Sequence, residues 1–329
     1  MKCIIQVPCY NEETTLPAVL RDLPKSIEGV DCLQIQIIDD GSVDNTVGVA
    51  REHGVDHIVS LTHNRGLAEA FKAGVLNAIK ENADILVNTD GDNQYAGEDV
   101  ATLVRCMIEK QADLVIGCRP IMDHHEFPWY KKCLQVLGSW VVRFISKTTV
   151  PDATSGFRAY SKNAMLRLNI VSRFSYCLET IVQAGLSNMK VRHVPIRVND
   201  QTRESRLFRS IPEYIYKQGK TVLSMVMLYR PGLFFGLIGS FFLALSGFLT
   251  ARFLYIIYIR PDVASNFWPT LIAAGIFFVI AGIIFSAGFI AAILHSQRTI
   301  SEETLYFLRK SFQDECGRKM TDMPDGRTD

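Results

Sequence analysis

The chain has 329 residues, 48% of them hydrophobic, with 35 lysines and arginines against 34 aspartates and glutamates. That length holds one large domain or two small ones, and the near balance of charge excludes the global positive field that nucleic-acid binding would use. Eight cysteines are scattered without a C-x-x-C pair, which excludes common zinc spacings and predicts free thiols in a reducing compartment.

From the start, apolar runs alternate with helical patterns. CIIQVP (3–8) predicts a strand, and TTLPAVLRDLPKSI a helix with threonine caps and Pro17 early in its first turn. LQIQIID (33–39) is a second strand, followed by a helix over VDNTVGVAREHG that Gly54 closes. HIVSL is a third strand. GLAEAFKAGVLNAIKEN is a helix with Leu67, Ala70, Phe71, Gly74, Val75 and Ala78 on one face. DILVNT is a fourth strand, AGEDVATLVRCMIEK a helix, and DLVIGC (113–118) a fifth strand. This alternation predicts an α/β fold, a mostly parallel, Rossmann-like sheet with helices on both faces. In such sheets ligands sit outside the carboxyl ends of the strands. The candidate site is therefore PCYNEE, DDGSVDNT, HNRG, DGDNQ and CR, the five segments that follow the strands.

Within that edge, Asp90, Asp92 and Gln94 are hard oxygen ligands around a tight glycine. They suit Mg²⁺ or Mn²⁺, which one or two carboxylates hold together with substrate phosphates. There is no Walker A pattern and no G-x-G-x-x-G after the first strand, so a nucleotide here would not use a P-loop or a dinucleotide fold. FPWYKKCLQVLGSWVVRFISK (127–147) carries aromatics and four cations. It reads either as a helix at a membrane interface or as an ordinary amphipathic helix packed on the sheet.

After about Arg230 the composition changes. Residues 232–259 carry one charge, Arg252, and residues 268–294 carry none. Each exceeds the roughly 20 apolar residues of a spanning helix, and the short loop RPDVASNF predicts a transmembrane hairpin. Arg252, near the far end of its span, reads as a snorkelling anchor. Lys217, Lys220 and Arg230 precede the first span, and Arg298, Arg309 and Lys310 follow the second. The excess of positive charge on these flanks places both termini and the N-terminal domain in the cytoplasm. The opening MKCIIQVP shows no secretory signal pattern. The stretch 209–231 reads as an interfacial amphipathic helix. The division is thus 1–208, 209–231, 232–295 and a cytoplasmic tail, 296–329, with a helix over SEETLYFLRKSFQDE capped by Ser301 and a disordered end.

VPCYNEE, IIDDGSVDNT, HNRGLAEAFKAG, NTDGDNQ, VIGCR and DATSGFRAYSK, in that order, resemble the family 2 glycosyltransferases of the GT-A fold, over roughly residues 3 to 210. Followed by a membrane hairpin, the domain is similar to polyprenyl-phosphate glycosyltransferases of the dolichol-phosphate mannose synthase and undecaprenyl-phosphate sugar transferase types. The resemblance implies transfer of one sugar from a nucleotide diphosphate donor, UDP- or GDP-linked, to a polyprenyl phosphate. It implies that Pro8, Tyr10 and Glu12 line the nucleoside, that Asp40 reads the base, and that Asp90, Asp92 and Gln94 hold the metal and diphosphate. Asp39 either lines the same site or is a structural acid. Arg65 and Lys72 are cations for the diphosphate, although Lys72 suits a solvated helix face equally. On the acceptor side Arg119 is the first candidate for the lipid phosphate. Arg158 would touch that phosphate, orient its loop or form a structural salt bridge. The family's G-x-S-K segment reads TRESRLF here: Ser205 and Arg206 align with its Ser and Lys, while Arg203 replaces the glycine.

Two other readings stand beside this one. A processive polysaccharide synthase shares the catalytic fold but carries a Q-x-x-R-W segment and more membrane helices, both absent here; one hairpin would enclose a pore only by forming a homo-oligomer. A membrane-bound nucleotide-sugar binding or scaffold protein would be expected to have lost its metal ligands.

Overall fold

β1 (Lys2–Cys9) is apolar on both faces, and the computed structural model sets it inside a sheet. The structure describes residues 1–120, 129–171, 176–199, 211–259 and 267–321. The seven strands are β1, β2 (Cys32–Asp39), β3 (His57–Ser60), β4 (Ile85–Asn88), β5 (Leu114–Cys118), β6 (Arg158–Ser161) and β7 (Val191–Pro195), in the order β3-β2-β1-β4-β6-β5-β7. β6 runs antiparallel to both neighbours, β4 and β5, and every other pairing is parallel. Five strands lie where periodicity predicts them. Periodicity does not predict β6 and β7: RAYS is four residues with a charge at its start, and VRHVP is a largely exposed edge strand, so neither shows a clean period of two.

Odd residues of β1, Cys3, Ile5, Val7 and Cys9, join a core with Leu16 and Val19 of α1 (Leu16–Asp22) and Leu103, Val104 and Met107 of α4 (Asp99–Lys110). The other face meets α3 (Leu67–Lys80) across a buried polar ladder. Gln36 Nε2 donates to Gln6 Oε1 (3.0 Å), and Gln6 Nε2 donates to Asn88 Oδ1 (2.9 Å). Gly74 of α3 lies directly above: a Cβ there would stand 2.0 Å from Gln6 Oε1. The ladder joins three strands under one helix, and its cross-strand bonds are specific to one register.

α1 ends earlier than predicted because Leu23 precedes Pro24 and takes an extended conformation (ψ 141°). α2 (Thr46–Glu52) stops before Gly54, which has φ +68°, as expected. α5 (Trp129–Ser146) crosses α7 (Tyr176–Leu186) closely enough that a Cβ on Gly185 would lie 2.0 Å from the Ser146 carbonyl oxygen. α6 (Lys162–Arg167) is capped by Ser161 Oγ, which accepts from Ala164 N–H.

By their contacts, residues Met1–Thr221 with Glu302–Asp329 make one compact unit and Val222–Ser301 another. α8 (Ile211–Tyr229) stops at Arg230, and Pro231 opens α9 (Pro231–Ile259), as proline favours the first turn. α10 runs without interruption over Trp268–Thr321. The separate, capped tail helix is thereby corrected. No glycine or proline stands between Phe289 and Cys316 to stop the helix, and Ser301 Oγ donates back to Gln297 O instead of capping. In the first unit, the end of α10 docks on α6: Arg309 Nη1 donates to the carbonyls of Met165, Leu166 and Leu168, and the Arg167 guanidinium lies 4.4 Å over the Tyr306 ring.

In the second unit α9 and α10 form an antiparallel pair with small residues at the seam. Cβ atoms on Gly239 and Gly288 would meet the side chains of Phe285 and Phe235 at 2.8 and 2.7 Å, and Ser246 Oγ donates to Ala274 O. Their outer faces present Leu237, Phe241, Phe248, Ile283 and Phe289 uncovered. Both helices are long and apolar enough to cross a membrane. Buried core helices would have these faces covered; small residues inside and large apolar ones outside is the pattern of helices packed in lipid.

Candidate active site

The loops after β1 and β2 are laced together. Asn11, at φ 55°, donates its N–H to Ser42 Oγ and accepts from Val43 N–H, both at 2.9 Å. Glu12 N–H donates to Thr46 Oγ1 (2.9 Å) and Glu13 N–H to Asp44 Oδ2 (3.1 Å). Pro8 and Glu12 are buried, and Tyr10 is exposed, so of these three only Tyr10 presents its ring to solvent. Asp39 Oδ1 accepts from Ser42 N–H at 2.9 Å, a turn-capping contact of the structural kind. Asp40 is buried, and its two oxygens accept from Arg65 N–H and Gly66 N–H, each at 2.8 Å. It therefore pins the HNRG loop to the end of β2. The Arg65 side chain is exposed. Lys72 Nζ pairs with Glu69 Oε1 at 2.6 Å on the surface of α3, which matches the solvated-face reading.

The loop after β4 rests on these segments. A Cβ on Gly91 would lie 3.1 Å from Pro8 O and 3.3 Å from Cys9 Sγ, so the glycine permits the close approach. Thr15 Oγ1 lies 2.6 Å from Glu12 Oε2 and 3.0 Å from Gly91 O, tying the start of α1 to the same loop. Asp90, Asp92 and Gln94 are half-buried together. Gln94 N–H donates to Asp92 Oδ1 (3.3 Å). Asn199, after β7, clamps the loop: its backbone N–H donates to Gln94 O (2.9 Å) and its Nδ2 to Asn93 O (3.0 Å). The backbone bond continues a short antiparallel bridge between Tyr95 and Val198.

Gly156 faces Asp90: a Cβ there would stand 3.0 and 3.2 Å from the two carboxylate oxygens. Its N–H donates to Tyr95 Oη (3.2 Å), and its carbonyl accepts from Asn88 Nδ2 (3.0 Å). Burial, reinforced by the charge of Asp92 and opposed by Arg119 and Arg158, pushes the Asp90 carboxyl up to about 7. Two carboxylates that repel in a half-enclosed site fit a divalent cation, with phosphate oxygens to complete its shell. Among the described residues no three His, Cys, Asp or Glu side chains gather as a metal cage.

Arg119, just past β5, is held on one edge. Nε donates to Asp152 Oδ2 (2.8 Å), and Nη2 donates to Asp152 Oδ1 (3.1 Å) and to Thr154 Oγ1 (2.9 Å). Burial alone would raise the Asp152 pKa; the Arg119 charge and the hydrogen bonds from Arg119 and Thr154 outweigh it and hold the carboxyl below its usual range. The stability from this pair is therefore present above the ordinary carboxylate pKa and lost as pH falls through the lowered value. Arg158, at the start of β6, is fully buried. Its donors go to the carbonyls of Ser155, Cys177 and Ala153 and to Thr180 Oγ1, at 2.6–2.8 Å. Of its three expected roles, this geometry is that of the loop-orienting residue. Ser205 and Arg206 lie outside the described residues. Sequence reasoning does not single out Asp152, Gly156, Tyr95 or Asn199. DATSGFR carries the signal for the first two, since an acid and a glycine flank the loop that leads to Arg158.

The description "Glycosyl transferase family 2" matches residues 4–168, which contain every strand end described above except the segment after β7. Among curated relatives, the chain is 29% identical over 213 residues to a UDP-N-acetylglucosamine–dolichyl-phosphate N-acetylglucosaminyltransferase of Methanococcus voltae, covering 58% of this chain and 83% of the relative. It is 27% identical over 211 residues to the polyprenol monophosphomannose synthase of Mycolicibacterium smegmatis, covering 61% and 78%. Among solved structures, glucosyl-3-phosphoglycerate synthase from Mycobacterium tuberculosis, in complex with Mn²⁺, uridine diphosphate and glucosyl-3-phosphoglycerate, superposes with a TM-score of 0.53 at 18% identity, covering 69% of this chain and 78% of that one. That likeness is one of fold. With the matched segment spanning half of the sequence and carrying the laced strand ends, the chain belongs to glycosyl transferase family 2.

Proposed function

We propose that the chain transfers a single sugar from a nucleoside diphosphate donor to a polyprenyl phosphate at the cytoplasmic face of a membrane, with inversion at the anomeric carbon. The observation that carries this reading is that the Asp90 carboxylate stands against Gly156 in the same loop whose Asp152 pairs with Arg119 Nε at 2.8 Å, so that one loop ties the acidic pair and the guanidinium to one sheet edge. Support for the acceptor comes from the named activities of the relatives on dolichyl phosphate and polyprenol. Support for a bilayer comes from the two long apolar helices.

In this reading Tyr10 and Glu12 line the nucleoside, and Asp40 meets the base while holding the Arg65–Gly66 turn. Pro8 shapes the strand end beneath them, and Arg65 faces the diphosphate. Asp90, Asp92 and Gln94 would hold Mg²⁺ or Mn²⁺, which when bound supplies positive charge toward the departing diphosphate. Arg119, locked by Asp152 on one edge, turns Nη1 to the acceptor phosphate; Arg can grip such an anion through parallel N–H groups. Arg158 positions the loop that carries Asp152 and Gly156. Ser205 and Arg206 are proposed as further contacts to phosphate.

The acceptor phosphate is already an anion at neutral pH, so no strong general base is needed. One of its oxygens attacks the anomeric carbon, the new C–O bond forms, and the bond to the diphosphate oxygen breaks with its electron pair. The chain's part is to place two anions in line and to balance their charge. The test is incubation of the purified protein with a panel of nucleotide sugars, Mg²⁺ or Mn²⁺ and undecaprenyl phosphate, with the lipid product read by mass spectrometry. A glycosylated lipid phosphate is the expected product. Sugar transfer only to a soluble acceptor, or chains of many sugars, would overturn the reading.

A further inference from the structure

Among the described residues, six other than glycine have positive φ. Asn82, Gln111, Lys147 and Asn188 stand just past the ends of α3, α4, α5 and α7, where a left-handed residue ordinarily closes a helix. Asn11 and Asn93 lie instead in the loops after β1 and β4, at the site. Asn93, at φ 58°, stands between Asp92 and Gln94, so rotation about its backbone sets the angle between those two side chains. A residue with a side chain keeps this conformation where its surroundings impose it.

The surroundings here converge on Asn199, which takes the carbonyls of three consecutive residues. Its Nδ2 donates to Asn93 O (3.0 Å) and Tyr95 O (3.4 Å), and its backbone N–H donates to Gln94 O (2.9 Å). Asn199 is itself held in place by the residues before it. Arg197 N–H donates to Asp99 Oδ2 (2.7 Å), and Arg197 Nη2 donates to Glu98 Oε2 and Asp99 Oδ1, both at 3.0 Å. Residues 197–199 are thus fastened to the start of α4 on their way out of β7, and the turn is held from a part of the chain about a hundred residues away.

We propose that Asn199 is a positioning residue for the divalent cation: by holding three carbonyls it fixes the left-handed turn at Asn93, and with it the angle between Asp92 and Gln94, before the ion arrives. This rests on the reading that Asp90, Asp92 and Gln94 hold Mg²⁺ or Mn²⁺. Its effect belongs in metal affinity, because a turn that the ion alone had to order would draw on the binding free energy.

The test measures Mn²⁺ binding to the full chain in detergent by calorimetry, beside Tm and sugar transfer. Asn199→Ala keeps the backbone bond to Gln94 and removes both side-chain bonds. Mn²⁺ affinity should fall about tenfold, as for one or two net hydrogen bonds, with Tm nearly unchanged. Raising Mn²⁺ to saturate the variant should restore its kcat, a recovery not expected of Asp92→Asn, which lacks a ligand. Asn93→Ala should weaken Mn²⁺ binding more than Asn93→Gly, because glycine takes positive φ without steric cost. That pair decides the matter if Asn199→Ala does not fold. Unchanged affinity in Asn199→Ala, equal affinities for Asn93→Ala and Asn93→Gly, or turnover that stays low with Mn²⁺ saturating would overturn the positioning role and leave the metal site standing. Absence of Mn²⁺ binding by the parent would overturn the metal site and the positioning role together.

Discussion

Asp90 and Asp92 stand two residues apart, yet they meet different surroundings. Asp90 faces the bare Cα of Gly156 and is pushed up to about 7, while Asp92 takes the Gln94 N–H. Chelation should abolish transfer, and Asp92→Asn should lower kcat by about a hundredfold or more, as expected for losing a few kcal/mol of transition-state charge stabilisation. Undiminished turnover in EDTA would remove the metal from the reading. Gly156→Ala tests the neighbour: the added methyl would press on both Asp90 oxygens, so Mn²⁺ affinity, measured by calorimetry, should fall with little loss of folded protein. Unchanged affinity would show that the Asp90 side chain can move aside. A third comparison separates donor from acceptor. Asp40→Ala should weaken nucleoside diphosphate binding roughly tenfold to a hundredfold, the worth of a hydrogen bond to a charged group. Arg119→Ala should leave that binding nearly intact and raise the KM for the lipid phosphate, or lower kcat if the contact tightens during attack. If Arg119→Ala abolishes nucleotide binding, Arg119 belongs to the diphosphate.

At the scale of elements, the amide ladder under α3 is the feature that apolar patterning does not anticipate. Gln36, Gln6 and Asn88 are completely buried in β2, β1 and β4, and Asn88 goes on to donate to Gly156 O and Tyr176 Oη. The chain of amides thus runs from the middle of the sheet to the loop that faces Asp90. Gln6→Leu would remove the middle rung and the bonds it makes to Gln36 and Asn88. It should cost about 1–3 kcal/mol, seen as a lower Tm of the purified protein in detergent. A Tm equal to the parent's would mean that the neighbours re-pair across the gap.

At the scale of the whole molecule, one chain joins an α/β sheet to a pair of helices whose outer faces are apolar. The lysines and arginines before α9 and along the later part of α10 outnumber the single arginine of the connecting loop. Tags at both termini should therefore be reachable from the cytoplasmic side alone, and a cysteine placed at Ala264 in a variant without other cysteines only from the opposite side. Labelling of the termini from outside would reverse the assignment drawn from positive charge.

Local signals suffice for the five main strands, the edge on which the site lies and the two apolar helices. Period-two and apolar runs are read within a few residues, and the parallel order makes the strand ends converge. The acidic pair is equally legible, because a carboxylate at a strand end can be recognised wherever the strand lies in the sheet. What the arginines do depends instead on contacts made at long range. Arg119 and Asp152 are 33 residues apart, and nothing periodic couples them. Arg158 stands in a motif but spends its donors on carbonyls that α7 and its own loop bring together. β6 and β7 likewise depend on neighbours, since each is short and is stabilised by pairing with a strand far away in sequence. The single course of α10 through Ser301 follows the same rule. A serine in the sequence becomes a cap only where the helix has a reason to stop, and here the backbone hydrogen bonds continue past it.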